Sequence, residues 1–195
     1  MPEDTFDAIV EFKTGVSSLQ VNMLSGLGIQ VTGTSKMLPY VYVKITKSQV
    51  LELVKNPNIV KVFSDEKVSA LQEEFATPAF EELSSDSITT LEEVIKILEA
   101  DKAYQQGYSA AGIRVAILDT GIEETHPMIA GKVIARENFS DDSDAIDLNG
   151  HGTHVAGIVS SIAKGCKIIN VKVLDRNGQG TFTNVLRGLE YAMTN

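Results

Sequence analysis

Asp119 stands at a position where enzymes of one fold class place their catalytic groups. It follows the apolar run 113–118, whose composition predicts a strand buried on both faces of a parallel sheet, and it precedes Thr120-Gly121. In open α/β sheets, sites form at this end of the strands. An aspartate at a strand exit also forms Asx turns. From Asp119 alone, this structural interpretation is the favoured one.

His151 lies in a second segment, Asn149-Gly-His-Gly-Thr-His-Val-Ala-Gly157, which opens a predicted helix. Glycines on both sides of this histidine allow the backbone to approach a neighbouring element closely. The positive end of a helix dipole disfavours an imidazolium, which suits a neutral general base when a carboxylate stabilises the protonated form. Two alternatives stay open at this point: a structural histidine, or a metal site built from His151, His154 and Asp119.

The composition indicates a globular protein without nucleic-acid or membrane partners. The chain has 195 residues, 43% of them hydrophobic, which suffices for one large domain or two small ones. Its net charge of −9 argues against binding to nucleic acids. We find no signal peptide and no membrane-spanning run, so we expect a soluble protein whose compartment the residues do not indicate. The single cysteine, Cys166, excludes an internal disulfide and is expected to line a buried strand.

The first seventy residues show the order β-α-β-β-α-β. Strands are predicted where β-branched and aromatic residues cluster, at 8–12, 28–33, 40–45 and 59–63. Apolar residues at helical spacing predict a helix after the first strand. A second helix, at 49–55, is expected to be capped by Ser48 and ended by Pro57. This is the split βαβ arrangement of α+β ferredoxin-like domains, which leaves one sheet face free to dock on a partner.

The character of the chain changes at residue 72. Residues 72–90 are acidic and contain Pro78 and a serine-rich stretch, which indicates a linker. Beyond it, the apolar runs 113–118 and 168–174 predict two strands. A helical stripe between them is predicted from Val155, Ile158, Val159 and Ile162. This alternation predicts an α/β domain with a parallel sheet and crossover helices.

Both candidate segments resemble motifs of the subtilisin-like serine proteases. Ile117-Leu-Asp-Thr-Gly-Ile122, together with His126-Pro127, resembles the segment around the aspartate of that family's catalytic triad. Asn149–Gly157 resembles the family's histidine motif. The strand, loop and helix that follow the histidine motif in that family are similar to two further segments of this chain, Val171–Gly180 and Leu189–Ala192. The two motifs also occur in the family's order, aspartate before histidine.

The resemblance implies the precursor of such a protease. Residues 5–71 look like the family's inhibitor-like propeptide, residues 72–90 are the acidic linker, and residues 91–195 look like the N-terminal part of the catalytic domain. The implied fold is a ferredoxin-like propeptide followed by a partial subtilisin-like, doubly wound parallel sheet. The implied activity is hydrolysis of protein or peptide substrates by an Asp-His-Ser triad, and the family implies an extracellular location.

The resemblance also assigns roles to individual residues. Asp119 would orient His151 and stabilise its charged form, and His151 would take the proton from a serine and return it to the leaving amine. An edge strand that binds the substrate backbone would be formed by Gly178, Gln179 and Gly180. An apolar pocket for a substrate side chain would be lined by Leu174, Phe182 and Val185. The alternative for the first set is a plain turn, and a role in the protein core explains the second set equally well.

A propeptide of this family acts on its own catalytic domain. Its sheet packs on helices of that domain, and its C-terminal tail lies in the substrate cleft as a product-like inhibitor. The expected partner of residues 5–71 is therefore the rest of the same protein. By resemblance, processing falls near Leu71-Gln72, beside an accessible linker. His154 would pack behind the site, so no metal is expected beside His151.

Several features of the family pattern are not found in the sequence. No Gly-Thr-Ser motif follows His151, so the nucleophilic serine is expected beyond Asn195 in a longer protein, and this chain alone is expected to be inactive. Met128 stands where subtilisin itself has a calcium-binding aspartate. Four aspartates form an acidic loop: Asp141, Asp142, Asp144 and Asp147. We interpret it as a solvated loop rather than a calcium site, although carboxylates of this kind can bind calcium. No cofactor is certain, and calcium stays open for the full-length enzyme.

Two other function classes compete with the protease precursor. In the first, residues 5–71 act as a non-catalytic inhibitor or folding chaperone of another subtilase, and tight inhibition of an active subtilase would favour it. In the second, a metallohydrolase uses His151, His154 and Asp119, and zinc analysis would test it.

Overall fold

The structure is a computed structural model that describes residues 4–70 and 91–195. The elements in chain order are β1 (Phe6–Phe12), α1 (Ser18–Gly26), β2 (Gln30–Thr34), β3 (Tyr40–Ile45), α2 (Lys47–Leu53), β4 (Ile59–Ser64), β5 (Lys67–Ser69), α3 (Leu91–Ile97), α4 (Ala100–Gln105), β6 (Arg114–Asp119), β7 (Val133–Asn138), α5 (His151–Ile162), β8 (Lys167–Lys172), β9 (Gln179–Thr181) and α6 (Phe182–Thr194). The linker at 72–90 and the processing bond Leu71-Gln72 lie outside the described residues.

The chain divides into two compact units. The first unit contains the chain up to Val68 together with Thr181–Thr194, and the second contains Ser69–Gly180 together with Asn195. The first unit holds an antiparallel sheet in the order β2-β3-β1-β4. In its central pair, Phe6 lies opposite Ile45. Each of the four strands predicted in this part of the chain overlaps an observed strand.

Capping residues fix where the two helices of this sheet begin. Ser17 caps α1 in a reciprocal pair with Gln20. The expected cap of the second helix, Ser48, is wrong, because α2 begins two residues earlier than expected, at Lys47, with Thr46 as its cap. The Thr46 hydroxyl accepts the Gln49 amide at 3.3 Å, while the Gln49 side chain accepts the Thr46 amide at 3.0 Å.

The antiparallel sheet is apolar on both faces. One face builds a buried core with the helices, formed by Ala8, Val10, Phe12, Leu24, Ile29, Val41, Val43, Ile45 and Leu53. The other face carries a second buried cluster, in which Leu186 of α6 packs with Ile9 and Tyr42 of the sheet. Burial raises the pKa of the Tyr42 hydroxyl to about 12, with a further contribution from the nearby Glu190 carboxylate. The sheet therefore holds helices against both of its faces.

The second unit is an α/β fold with a parallel sheet, as the sequence predicts. Its strands run in the order β6-β8-β7, with β8 in the centre and Asp119 of β6 opposite Lys172. Strand β7 is not among the predicted elements. Its outer position explains this, because only some of its side chains need to be apolar.

Helix α5 packs on this sheet through small residues. Its buried positions are Gly152, Ala156, Gly157 and Ser160. The predicted stripe is therefore only partly right: Val155 and Val159 pack against the core, while Ile158 is 46% exposed. Cys166, directly before β8, is buried in the same core, as expected.

Candidate active site

Asp119 ends β6 with its backbone and its side chain both engaged. Its carbonyl oxygen accepts the amides of Val173 and Leu174, at 2.9 and 3.1 Å, which continues the parallel ladder past the end of the strand. Its carboxylate accepts the Thr120 amide at 2.7 Å through Oδ1. The side chain is 12% exposed. The carboxylate is thus held at the carboxyl end of the sheet, where the sequence predicts a site.

His151 is the first residue of α5, and its ring contacts Asp119. Its Nδ1 lies 2.8 Å from Oδ1 and 2.9 Å from Oδ2 of that carboxylate. An ionised carboxylate only accepts hydrogen bonds, so this contact assigns the proton to Nδ1 and leaves Nε2 of the neutral ring as a free base. The imidazole is 35% exposed, which leaves it accessible to a reactant.

Two glycines let the segments that carry Asp119 and His151 meet. A Cβ on Gly152 would overlap the Gly121 carbonyl oxygen and lie 3.2 Å from the Asp119 carboxylate. Gly121, at φ +104°, would place a Cβ 2.6 Å from the Ala145 carbonyl oxygen. Gly150, before the histidine, also has a positive φ, +103°. Side chains at Gly121 and Gly152 would force the aspartate and the histidine apart.

Asp147 holds the start of α5 and connects it to β6. It accepts the Asn149, Gly150 and Thr153 amides at 2.8 to 3.0 Å and the Thr153 hydroxyl at 2.6 Å. It also accepts the buried Thr120 hydroxyl at 2.9 Å. Burial alone would raise the pKa of Asp147, but the hydrogen bonds from Thr153, Gly150 and Asn149 outweigh it and hold the pKa below its usual value.

Thr120 completes the connection between the two segments. Its hydroxyl donates to Asp147 and accepts the amide of Gly152 at 3.0 Å. The Thr120 side chain has no exposed surface. Thr120, which follows Asp119, therefore holds the backbone of Gly152, which follows His151.

His154 does not join the Asp119–His151 pair. Its side chain lines a groove of about 440 Å³ together with His126, Met128 and Ile158. Within residues 4–70 and 91–195, no cluster of three or more histidine, cysteine or acidic side chains is arranged to hold a metal ion. The structure thus brings together the two residues of the protease hypothesis and not the third ligand of the metal hypothesis.

The expected substrate-binding residues fall in both units. Gly178, at φ +72°, precedes β9, which begins with Gln179 and Gly180. A Cβ on Gly180 would meet the Val173 carbonyl oxygen. Leu174 is buried in the second unit, whereas Phe182 and Val185 belong to α6 of the first. Phe182 there makes an edge-to-face contact with Phe63, at 5.8 Å between ring centres.

Part of the acidic loop is engaged by basic side chains. Asp142 pairs with Arg176 at 3.0 Å and with the buried Lys172 at 3.2 Å. Burial acts to raise the pKa of Asp142, but hydrogen bonds from Arg176 and Lys172 prevail and lower it. Since Asp147 binds the helix terminus, two of the four loop carboxylates are engaged by protein groups.

Ser35 belongs to a Gly-Thr-Ser tripeptide, residues 33–35, that stands before Asp119 in the chain. Its hydroxyl donates to Glu190 at 3.0 Å and accepts the Leu38 amide at 2.8 Å, and the residue is buried in the first unit. Across the described residues, no serine hydroxyl makes a hydrogen bond with His151. Ser35 is therefore a structural serine.

Three residues that build the site were missed by sequence reasoning: Thr120, Asp147 and Lys172. Thr120 and Asp147 stand within or near the motifs, but nothing in their spacing shows that they bond each other. Lys172 carries a sequence clue, because a lysine inside the apolar run 168–174 must find partners when buried.

Comparison with known proteins agrees with this site. Residues 110–195, which include Asp119 and His151, match the Subtilase family. This segment of the chain belongs to the subtilase family of serine proteases.

Individual relatives bear protease names. The major intracellular serine protease of Bacillus subtilis (strain 168) is 36% identical over 121 residues, which cover 54% of this chain and 38% of the relative. The thermophilic serine proteinase of Bacillus sp. (strain AK1) is 40% identical over 103 residues, 47% of this chain and 26% of the relative. The thermostable alkaline protease of Halalkalibacterium halodurans is 30% identical over 168 residues, 81% of this chain and 41% of the relative. The chain thus spans roughly a quarter to two fifths of the length of these relatives.

Family membership does not by itself give the cellular compartment, since one of these relatives is named as intracellular. Among the described helices, none is long and apolar enough to cross a membrane.

Proposed function

We propose that this chain belongs to the precursor of a subtilisin-like serine endopeptidase, in which Asp119 and His151 act with a serine nucleophile. The observation that carries this proposal is the contact of His151 Nδ1 with both carboxylate oxygens of Asp119, at 2.8 and 2.9 Å. The protease names of the relatives support the same chemistry. The proposed substrates are proteins or peptides.

The contact defines how the pair would move a proton. With its proton on Nδ1, the neutral His151 ring presents the Nε2 lone pair to a serine hydroxyl. As the serine attacks the peptide carbonyl, Nε2 takes its proton, and the Asp119 carboxylate stabilises the imidazolium that forms. Nε2 then gives the proton to the leaving amine.

Residues 178–180 are proposed to bind the backbone of the substrate as an edge strand. The Ala70 amide donates to the Gly178 carbonyl at 2.8 Å, which is the kind of bond that β-augmentation uses. A Cβ on Gly178 would lie 3.4 Å from the Ala70 Cβ, so the two backbones are close. Ala70 directly precedes Leu71, and its position supports a tail that lies on this strand like a cleavage product, with processing near Leu71-Gln72.

Residues 5–71 are proposed to be a ferredoxin-like, inhibitory propeptide, and residues 91–195 to be part of the catalytic domain. The sheet order β2-β3-β1-β4 supports the propeptide fold. Contacts with α6 support its docking. The first turn of α6 donates to Asp65 and Glu66, from the Thr183 and Phe182 amides, at 2.8 and 2.9 Å. Near its end, Glu190 accepts the Lys36 and Met37 amides at 2.5 and 2.6 Å.

The 195-residue polypeptide alone is proposed to have no peptidase activity. General-base catalysis by His151 needs a nucleophile, and the described residues place no serine hydroxyl on its ring. In subtilisin itself, the measured cost of removing the serine alone is about 2 × 10⁶ in kcat.

The test is an assay on casein. The 195-residue polypeptide is compared with the product of the gene's reading frame past codon 195, each as wild type, Asp119→Ala, His151→Ala and the control His154→Ala. We expect cleavage only by the longer wild type and the control, blocked by a serine-directed reagent. Cleavage by the 195-residue chain that this reagent blocks, or equal activity of Asp119→Ala and the control, would contradict the proposal.

A second candidate function is inhibition or assisted folding of another subtilase. It is favoured by the buried cluster between the β2-β3-β1-β4 sheet and helices α1 and α2, whose fully buried members all fall within residues 8–53. The test adds the whole chain, and separately residues 1–71, to an active subtilase. Tight inhibition by residues 1–71, together with a stop codon directly after Asn195, would favour this function over the precursor.

A further inference from the structure

Lys172 is a fully buried lysine beside the proposed site. It lies at the end of β8, opposite Asp119 in the parallel ladder, and its side chain has no exposed surface. Burying an ammonium costs several kcal/mol unless good partners surround it. The groups that the Lys172 ammonium contacts therefore decide what this lysine does in the fold.

The partners of the ammonium belong to the two segments that build the site. Its Nζ donates to the carbonyl oxygens of Thr120 and of Ile146, the latter at 3.2 Å. The third neighbour is the Asp142 carboxylate, 3.2 Å away, which is also held by Arg176. Two N–H bonds thus reach carbonyl oxygens, and the charge of the ammonium is balanced by the carboxylate.

Each carbonyl is attached to a residue that sets the geometry of the pair. Thr120 follows Asp119, and Ile146 precedes Asp147, the carboxylate that caps the helix of His151. The same two segments meet again at Gly121, where a Cβ would lie 2.9 Å from the Ile146 carbonyl oxygen. An ammonium between these carbonyls therefore draws the exit of β6 and the loop before α5 together.

We propose that Lys172 is a positioning residue for the Asp119–His151 pair, acting through the Thr120 and Ile146 carbonyls and touching neither reacting group. The inference rests on the proposed function, because it assigns Lys172 a role in the same pair. A role in stability alone is the competing explanation, because removing one partner of the buried Lys172–Asp142 pair is itself destabilising, and the experiment below separates the two roles.

The test measures the His151 Nδ1 proton in the whole chain by NMR. The chain has three histidines, so ¹⁵N-histidine labelling makes this resonance assignable. Its exchange with solvent reports how firmly the proton is held by the carboxylate, and the backbone amide of Val171, in the same strand as Lys172, serves as internal reference. The variants are Lys172→Met, Asp119→Ala and the control Lys167→Met, which changes an exposed lysine of β8.

In Lys172→Met we expect exchange of the His151 proton to accelerate about tenfold relative to the Val171 amide, a size typical of coupling within one hydrogen-bond network. Lys167→Met should exchange at the wild-type rate. If Lys172→Met does so too, the positioning role is overturned, whatever happens to its unfolding midpoint. A purely structural role would lower that midpoint and leave the relative exchange unchanged.

Two further outcomes separate the inference from the proposed function. A wild-type proton that exchanges as fast as in Asp119→Ala overturns the Asp119–His151 pair itself, and the role of Lys172 with it. If Lys172→Met does not fold, Lys172→Gln replaces it, because an amide keeps two donors for the carbonyls and drops the charge. Exchange between the wild-type and Asp119→Ala rates then supports positioning, and wild-type exchange overturns it.

Discussion

Removing the Asp147 carboxylate should loosen the start of α5 more than any other single change in the acidic loop. The capping bonds to the helix amides contribute about 1 kcal/mol by comparison with other N-terminal caps. The bond from the Thr120 hydroxyl contributes a further 1–2 kcal/mol or so, because that hydroxyl has no exposed surface and would lose its acceptor. We therefore predict that Asp147→Ala lowers the free energy of unfolding by about 2–3 kcal/mol.

The assay is urea denaturation followed by far-ultraviolet circular dichroism, since the chain has no tryptophan. Asp141→Ala is the matched control, because it removes an exposed carboxylate from the same loop. We expect the control to stay within about 0.5 kcal/mol of the wild type. If Asp147→Ala unfolds at the same urea concentration as Asp141→Ala, the inference that Asp147 joins the two segments is refuted.

The pH dependence provides an independent check. The pKa of Asp147 is lower in the folded chain than in the unfolded one, because hydrogen bonds outweigh the effect of burial. A carboxyl of this kind stabilises the fold above its unfolded pKa, about 3.9, and loses that contribution as the pH falls through its folded pKa. The difference in stability between wild type and Asp147→Ala should therefore be constant near neutral pH and shrink below about pH 4. A difference that grows on acidification would show that the sign of the shift is wrong.

Five other substitutions, two matched pairs and one alone, test the packing and capping described above by the same denaturation assay. Gly152→Ala should cost about 3 kcal/mol or more, because its Cβ would overlap a backbone carbonyl, whereas Gly157→Ala, in open space on the same helix, should add about 1 kcal/mol. Equal effects of the two would refute the close approach. Thr46→Ala should cost about 1 kcal/mol and Ser48→Ala less than half of that, and the reverse order would restore the cap that the sequence favours. Glu190→Ala should cost about 2 kcal/mol, because three donors lose their acceptor, and an unchanged midpoint would count against that cradle.

Local patterns predicted most of the elements but not all of their ends. The run 40–45 is rich in β-branched and aromatic residues and forms β3 over the same residues. The second helix was placed too late, because Ser48 and Thr46 are both good caps and only the reciprocal bond with Gln49 decides between them. Strand β7 lacks a strong pattern because an outer strand can carry Arg136 and Glu137.

The sequence predicts Asp119 and His151 as site residues because local patterns surround both of them. Asp119 and His151 stand in motifs whose neighbours along the chain, glycines and apolar residues, already restrict the backbone. Their mutual contact spans 32 residues, but the order of the motifs implies it. The connections through Asp147 and Lys172 depend on which side chain meets which carbonyl across the sheet, and no local pattern encodes that choice.

The backbone carbonyl and the side-chain carboxylate of Asp119 have different roles. The carbonyl that accepts Val173 and Leu174 belongs to the backbone, and any amino acid at this position supplies it. Only the carboxylate is specific to the chemistry. A substitution of that carboxylate would leave the backbone bonds between β6 and the residues after β8 in place, while His151, the proposed general base, would lose its hydrogen-bond partner. A loss of the proposed chemistry at this one position is therefore compatible with an intact backbone ladder, and a measurement of folding alone would not detect it.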